Sequence, residues 1–241
     1  PNPETADPND GIIQGESAVV IEGRGVRGGA PDLLPVTSDN FDLTAEWYFN
    51  QVGSLTLSAF YKEIKGVVVF DTQRQSFTNN GQTFDVVLTR ELNAPETGKV
   101  KGFELAYQQT YDFLPGALSG LGIQANYTFV DSSGVPQPTL EAGDPSVVGD
   151  FVSNIDVSGF PLQGLSKHNF NVTPFFDYKG LSLRASYAWR SRYLLTTRDV
   201  IVPYDPVFQE KYGQLDASIF FQATKNIRIG VQGVNLANSI T

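Results

Sequence analysis

In the stretch Leu121-Gly122-Ile123-Gln124-Ala125-Asn126-Tyr127-Thr128-Phe129-Val130, odd positions carry Leu, Ile, Ala, Tyr and Phe, and positions 122–128 carry Gly, Gln, Asn and Thr between them. Successive side chains of an extended strand point to opposite faces, so this segment has one apolar and one polar side. Eight segments read this way. Phe41, Leu43, Ala45, Trp47 and Phe49 oppose Asp42, Thr44 and Glu46; Leu55, Leu57, Ala59 and Tyr61 oppose Thr56, Ser58 and Lys62. Phe103, Leu105, Tyr107 and Tyr111 oppose Glu104, Gln108 and Thr110, and the 121–130 stretch is fourth. Phe170, Val172, Phe176 and Tyr178 oppose Asn169, Asn171, Thr173 and Asp177. Leu181, Leu183, Ala185, Tyr187 and Trp189 oppose Ser182, Arg184, Ser186 and Arg190. Leu215, Ala217, Ile219 and Phe221 oppose Asp216, Ser218 and Gln222, and Ile227, Ile229 and Val231 oppose Arg228 and Gln232. Pro174, on the apolar side of its segment, removes a ladder donor, and a bulge is expected to accommodate it.

The connections alternate as strictly as the side chains. Short ones fall at Asn50-Gln51-Val52-Gly53, Asp112–Gly120, Lys179-Gly180 and Thr224-Lys225-Asn226; long ones span roughly 65–97, 131–165 and 194–211. All short turns therefore lie at one end of the sheet and all long loops at the other, the asymmetry of outer-membrane barrels. Strands of about 10–14 residues match a tilted bilayer crossing and exceed the usual ~5–6 of soluble sheets. Within the second connection, Val67-Val68-Val69-Phe70 and Phe84-Asp85-Val86-Val87-Leu88 read as a hairpin projecting beyond the membrane. Residues 1–37, rich in Pro, Gly and Asp, read as a long loop, here assigned to the extracellular side, with the barrel portion at 38–241.

Closing the sheet decides where the polar side chains go. Glu46, Glu104, Gln124, Asn126, Asn171, Arg184, Asp216 and Arg228, with Asp42 and Arg190, would line an aqueous lumen. Trp47, Phe49, Tyr61, Tyr111 and Trp189 sit near strand ends on the outward side, where interfacial aromatic girdles belong. A soluble β-sandwich would use the same alternation, and pattern alone leaves it open. The expected fold is an all-β, antiparallel transmembrane barrel, with these eight strands part of a larger one. An open sheet edge in lipid would leave unpaired backbone groups, so further strands are expected on both sides.

Composition sharpens this picture. No window approaches the roughly 18 apolar residues of a membrane helix, which leaves strands as the means of crossing. There is no cysteine, hence no disulfide framework or thiolate metal site. The net charge of −9 argues against a nucleic-acid footprint and suits acidic loops facing solvent. The chain begins Pro1-Asn2-Pro3, without initiator or signal peptide, which reads as a piece of a longer protein.

The wording of several segments resembles the C-terminal barrel half of TonB-dependent outer-membrane receptors. These are Asp39–Phe49, Gly53-Ser54-Leu55, Ser58–Ile64, Lys99–Gln109, Phe113-Leu114-Pro115-Gly116, Gly120–Gly122, Ala125–Ser132, Gly164–Asn169 and Tyr212–Ser218. Together they cover roughly residues 35–238, and the wording is closest to the branch common in xanthomonads, caulobacters and sphingomonads. The resemblance implies a 22-stranded barrel closed by an N-terminal plug, substrate binding at the extracellular face, and energy delivered by TonB, ExbB and ExbD. It also implies residence in the outer membrane of a Gram-negative cell, in contact with its lipid. Members of this branch are associated with oligosaccharide uptake, others with ferric siderophores or cobalamin. A carbohydrate importer is thus the first reading, a siderophore or cobalamin receptor the second. A passive barrel, an adhesin-like surface protein or a soluble β-sandwich binding module remains as an alternative of another class.

Candidate chemistry is sparse, and no catalytic residue, metal site or cofactor is assigned. Gly23-Arg24-Gly25-Val26-Arg27-Gly28 spells G-x-G-x-x-G, but Gly29-Ala30-Pro31-Asp32 follows without a helical period, so a loop is the better reading. His168 is the only histidine, which excludes a His-based triad or a multi-histidine zinc site within this piece. Glu141, Asp144 and Asp150, or Asp7 and Asp10, lack EF-hand spacing and read as solvated loop. Substrate contacts are expected on the long loops, at Tyr193, Arg198, Tyr204, Phe208 and Gln209, with Phe151 and Asn154 as further aromatic and amide candidates. Sugars are held by aromatic faces and planar hydrogen-bonding groups on loops of a rigid scaffold. Arg24, Arg27, Arg192 and Arg198 would suit an anionic ferric siderophore.

Overall fold

Eight long strands build one antiparallel sheet. They are β4 (Thr37–Asn50), β5 (Gly53–Lys65), β8 (Gly98–Thr110), β9 (Leu121–Ser133), β10 (His168–Tyr178), β11 (Leu181–Arg190), β14 (Tyr212–Thr224) and β15 (Ile227–Gly233). Seven shorter or projecting strands complete the set: β1 (Ile12–Gly15), β2 (Ala18–Ile21), β3 (Gly25–Arg27), β6 (Val68–Asn79), β7 (Gln82–Asn93), β12 (Tyr193–Thr196) and β13 (Val207–Gln209). The computed structural model describes residues 12–15, 18–21, 25–27, 29–137, 159–197 and 205–240, and side chains at 12–28, 71–74, 79, 84–87 and 89 are not described.

The large sheet runs β15-β14-β11-β10-β9-β8-β5-β4, each strand beside its sequence neighbour in the sheet. Register fixes which residues share a face, because directly opposed residues of an antiparallel pair point the same way. One row reads Thr44, Ser58, Glu104, Thr128, Asn169, Arg190, Tyr212 across seven strands. The next row on the other face reads Ala45, Leu57, Leu105, Tyr127, Phe170, Trp189, Gly213. The alternation in the sequence thus becomes one polar and one apolar face that keep their sense across the whole sheet.

Short connections are built for tightness. Lys179 (φ 46°) and Gly180 (φ 85°) both adopt positive φ, the two-residue turn whose twist matches its flanking strands. Asn80 (φ 49°) and Gly81 (φ 78°) do the same between β6 and β7, a hairpin with unbroken register from Val68↔Asn93 to Asn79↔Gln82. The projecting hairpin expected from the sequence is therefore present. Two expectations change. The segment before β4 is not featureless: β1 pairs with β2, and β3 adds in parallel to β7. Nor does Pro174 create a bulge. Register with β9 runs unbroken through Pro174↔Ile123, and the ladder to β11 simply lacks pairs at Thr173 and Pro174 before resuming at Phe175↔Arg184. Proline's missing donor faces a gap of two rows, so no extra residue is needed.

The sheet has no second layer among the described residues. Leu43 (74% exposed), Trp47 (64%), Ile229 (61%) and Val231 (72%) stand on the apolar face without cover. An apolar expanse of this size marks contact with another apolar medium or partner. The most buried side chains lie instead among the loops and strand ends: Leu194 is 0% exposed, Thr197 4% and Ser166 7%.

Aromatics flank the apolar face at both ends. Towards the long loops Phe103 stacks on Phe129 (5.6 Å), Phe129 meets His168 (5.3 Å) and Phe170 stacks on Trp189 (5.4 Å). Towards the short turns Trp47 meets Phe49 (5.1 Å), Tyr111 meets Phe113 (6.0 Å) and Phe176 meets Tyr178 (6.2 Å). Aliphatic side chains such as Leu57, Leu105, Ala125 and Val172 lie between. Beyond the long-loop band the face turns ionic, with Lys65–Asp39 (3.0 Å) and Lys167–Asp131 (2.8 Å).

Candidate ligand site at the long-loop end

The long loops are sewn together by side-chain hydrogen bonds, which gives the sheet a structured rim. Gln137 donates to the carbonyls of Phe160 (3.3 Å) and Pro161 (2.8 Å) and accepts from the Gln163 amide (3.2 Å). Gln163 reaches Thr197 (3.1 Å), and the Gly164 amide donates to the Leu194 carbonyl (2.8 Å). Thus the segment entering β10 is docked on the β12–β13 hairpin. Elsewhere on the rim Asn93 accepts from the Leu34 amide (2.7 Å) and donates to the carbonyls of Leu34 (2.8 Å) and Gly66 (2.7 Å). One amide ties the approach to β4 to both ends of the β6–β7 hairpin.

Where this rim meets the polar face, three strands, β11, β12 and β14, bring together Arg190, Tyr193, Tyr212, Gln214 and Asp216. Arg190 ends β11 directly opposite Tyr212 of β14. Its guanidinium lies 5.0 Å from the Tyr193 ring centre and 5.8 Å from that of Tyr212, within cation–π range of both. Tyr212 donates its hydroxyl to Gln214 (2.8 Å), which donates to both oxygens of Asp216 (2.9 and 3.0 Å). The Asn235 amide donates to the same carboxylate (2.8 Å). Asp216 is therefore engaged by neutral donors, and it stands four residues along the strand from the position opposite Arg190. In Arg190's own row the first acid is Glu104, three strands away, or ~14 Å at sheet spacing. Among the described residues Arg190 has no carboxylate partner, and its buried Nε has no hydrogen-bond partner.

The expected substrate contacts divide. Tyr193 pairs with Gln209 across β12–β13, and Tyr193 also faces Arg190, so these two belong to the mouth. Phe208 packs on the far side of the hairpin, edge-on to Phe160 (6.0 Å) and beneath Arg192 (4.1 Å), which also reaches Glu210 (3.4 Å). Arg192 is thus already engaged. Arg198, Tyr204, Phe151, Asn154, Arg24 and the acidic groups at Asp7, Asp10, Glu141, Asp144 and Asp150 lie outside the described residues, as does the Arg27 side chain. The Gly25-Val26-Arg27 part of the glycine motif forms β3, an extended strand rather than a phosphate-cradling turn. His168 opens β10 on the apolar face, its Nδ1 2.7 Å from the Tyr127 hydroxyl, a structural arrangement. No cluster of three or more His, Cys, Asp or Glu fit for a metal occurs among the described residues.

All eight side chains expected to line a lumen, Glu46, Glu104, Gln124, Asn126, Asn171, Arg184, Asp216 and Arg228, fall on the one polar face. Missed from the sequence were three phenylalanines on that same face. Phe60, Phe175 and Phe220 each lie directly opposite a glycine, at Gly102, Gly122 and Gly230. Arg184 stacks on Phe175 (5.5 Å) and Arg228 on Phe220 (4.6 Å), so the polar face carries cation–aromatic pairs where pure polarity was expected. Arg184 further approaches Asp177 (3.9 Å), whose carboxylate accepts from Ser182. Next to these, a cavity of about 290 Å³ at the short-turn end is lined by Asp177, Ser182, Gln222 and Arg228.

An eight-stranded antiparallel wall with short turns at one end, structured long loops at the other and opposed polar and apolar faces is the architecture of a membrane-barrel receptor. The chain belongs to the TonB dependent receptor-like β-barrel family, whose sequence profile matches residues 6–236. Solved structures of the same fold include the ferric enterobactin receptor PfeA of Pseudomonas aeruginosa (16% identity, TM-score 0.54, covering 84% of this chain and 26% of that one). The siderophore receptor PirA of Acinetobacter baumannii (17%, 0.55, 88% and 29%) and the FrpB iron transporter of Neisseria meningitidis (13%, 0.55, 89% and 29%) are similar too. This chain spans little more than a quarter of the length of these receptors. No curated protein sequence matches it.

Proposed function

We propose that this chain is the C-terminal barrel portion of a TonB-dependent receptor that imports a nutrient across the outer membrane of a Gram-negative bacterium. The observation that carries the reading is the two-faced sheet: an aromatic-flanked apolar face for lipid, and a continuous polar face for a lumen. Further strands complete a barrel of about 22, a plug closes it, and TonB, ExbB and ExbD supply energy through that plug. Loops at the rim, residues 1–37 included, face outwards and capture the cargo. The wall is a rigid frame for this, with transport rather than catalysis as its task.

The cargo we favour is an oligosaccharide. Tyr193 and Tyr212 offer ring faces at the mouth and Gln209 offers an amide, the groups that grip pyranose rings. Uptake of labelled oligosaccharides by cells with and without the full receptor, in the presence and absence of TonB, tests both halves. TonB-dependent uptake of a ferric siderophore alone would overturn the carbohydrate assignment. That second reading is supported by Arg190 and by the siderophore and iron cargo named for the similar structures.

A further inference from the structure

We infer that the turn between β8 and β9 is an interfacial anchor, with Phe113 and Leu118 sunk into the headgroup region of the phospholipid leaflet on the short-turn side. This rests on the receptor reading above and adds a bilayer contact beyond the spanning strands. The turn is an exception among the short connections. Those at 179–180 and 224–226 carry Lys179 and Lys225, whereas the chain from Phe113 to Gly120 has no charged residue. It nevertheless presents large apolar groups to its surroundings, with Phe113 69% exposed and Leu118 52%. Val52, 44% exposed, adds to them from the neighbouring turn, which Asn50 ties to this one by donating to Asp112 (3.4 Å). An apolar cluster left open on a folded surface marks a contact.

Continuity with the lipid-facing surface says what covers these groups. Phe49 stacks on Tyr107 (6.2 Å), and the Tyr111 ring meets Phe113 edge-on (6.0 Å), so the outward girdle runs into the turn. Aromatic rings favour the boundary between acyl chains and headgroups, and apolar side chains beside them dip below it. At the next turn Lys179 lies over the Tyr178 ring (5.2 Å), its stem on the ring and its ammonium within reach of lipid phosphates. A protein partner is ordinarily steered and registered by charges, and residues 113–120 offer none. The turn is also preformed, so insertion orders little that is not ordered already. The Tyr111 amide donates to the Leu121 carbonyl (2.8 Å), the Leu114 amide to the Tyr111 carbonyl (2.9 Å) and the Ser119 hydroxyl to the Gly116 carbonyl (2.7 Å). A short 3-10 helix, Gly116–Gly120, is closed by the Leu121 amide on the Leu118 carbonyl. Gly120 seats it on the end of β10, where an added Cβ would collide with the Asp177 carbonyl.

The test uses the full receptor, free of other cysteines, in phosphatidylcholine vesicles that hold no other protein. A bimane is attached singly at Phe113→Cys, Leu118→Cys, Ile123→Cys or Lys225→Cys, each confirmed as a folded barrel by its heat-modifiable gel mobility. Quenching is read with iodide in the water and with lipid bearing a nitroxide close to its headgroup. The expected result is that the lipid nitroxide removes most of the emission at 113, 118 and 123, and iodide most of that at 225. Phe113→Trp, read with brominated lipid as the difference from wild type, should show the same lipid quenching without a bulky label. Iodide quenching at 113 and 118, with lipid quenching kept at 123, overturns the anchor and leaves the receptor reading standing. The same vesicle result with protection from iodide in native outer membranes assigns the turn to a protein partner and overturns the anchor equally. Loss of lipid quenching at 123 as well sinks both.

Discussion

Replacing Gly102 by alanine tests how the polar face sets strand register. An added Cβ at Gly102 would run into the backbone carbonyl of Phe129 and come within 2.7 Å of the Phe60 ring. A carbonyl inside the sheet moves only with its strand, so the cost is that of overpacking, about 1–3 kcal/mol. Alanine restricts the unfolded chain and returns about 0.4–1 kcal/mol where it fits, but here it does not fit. The expected net loss is about 2 kcal/mol, or roughly thirtyfold in the folding equilibrium. Gly122 is the contrast, because there the three nearest atoms all belong to the Phe175 ring, the far end of a rotatable side chain. Displacing it costs about 0.5–1.5 kcal/mol of rotamer strain, largely offset by the gain in the unfolded state. Urea titration of the full receptor in lipid vesicles, read by tryptophan fluorescence and gel mobility, measures both. Combined with Phe175→Ala, Gly122→Ala should lose its residual cost, whereas Phe60→Ala should leave most of the Gly102→Ala cost in place. Equal costs at the two glycines, or full rescue of Gly102→Ala by Phe60→Ala, would refute the reasoning.

Three further outcomes are expected. Leu105→Arg, in the middle of the apolar face, should destabilise the membrane-inserted receptor by about 2–4 kcal/mol, while Ala106→Arg beside it on the polar face should cost little; vesicle titration separates them. Asn93→Ala removes three hydrogen bonds on an exposed rim, so global stability should fall by no more than about 1 kcal/mol. Amide exchange at Leu34 should nonetheless accelerate, and unchanged exchange there would show that the clamp is incidental. Gln137→Ala should loosen residues 160–163 from the segment leaving β9 and raise protease cutting in that loop without altering barrel assembly, as limited proteolysis of whole cells would report.

What was legible in the sequence is what period and punctuation encode. Alternation placed all eight sheet strands, and the Lys179-Gly180 turn announces itself because both positions adopt positive φ. Features made by long-range pairing were hidden. Phe60, Phe175 and Phe220 break the local alternation, and only the register reveals a glycine opposite each. The expected bulge at Pro174 failed because the missing donor falls where the β11 ladder is already open. Tyr193 and Gln209 were expected as contacts from their place on the long loops, whereas Arg190 looked like one more polar-face residue. Its isolation depends on Gln214 and Asn235 occupying Asp216, which no spacing rule predicts.

The central claim is that the two faces of this sheet meet lipid and water respectively. Spin labels placed one at a time at cysteines from 121 to 130 of the membrane-embedded receptor test it most directly, since this chain brings no cysteine of its own. Accessibility to oxygen, which concentrates in lipid, and to a water-soluble nickel chelate should alternate with a period of two. Oxygen should dominate at Leu121, Ile123, Ala125, Tyr127 and Phe129, and nickel or plug contact at Gln124, Asn126 and Thr128. Nickel accessibility on the odd positions, or protection of both sets from oxygen, would contradict the account.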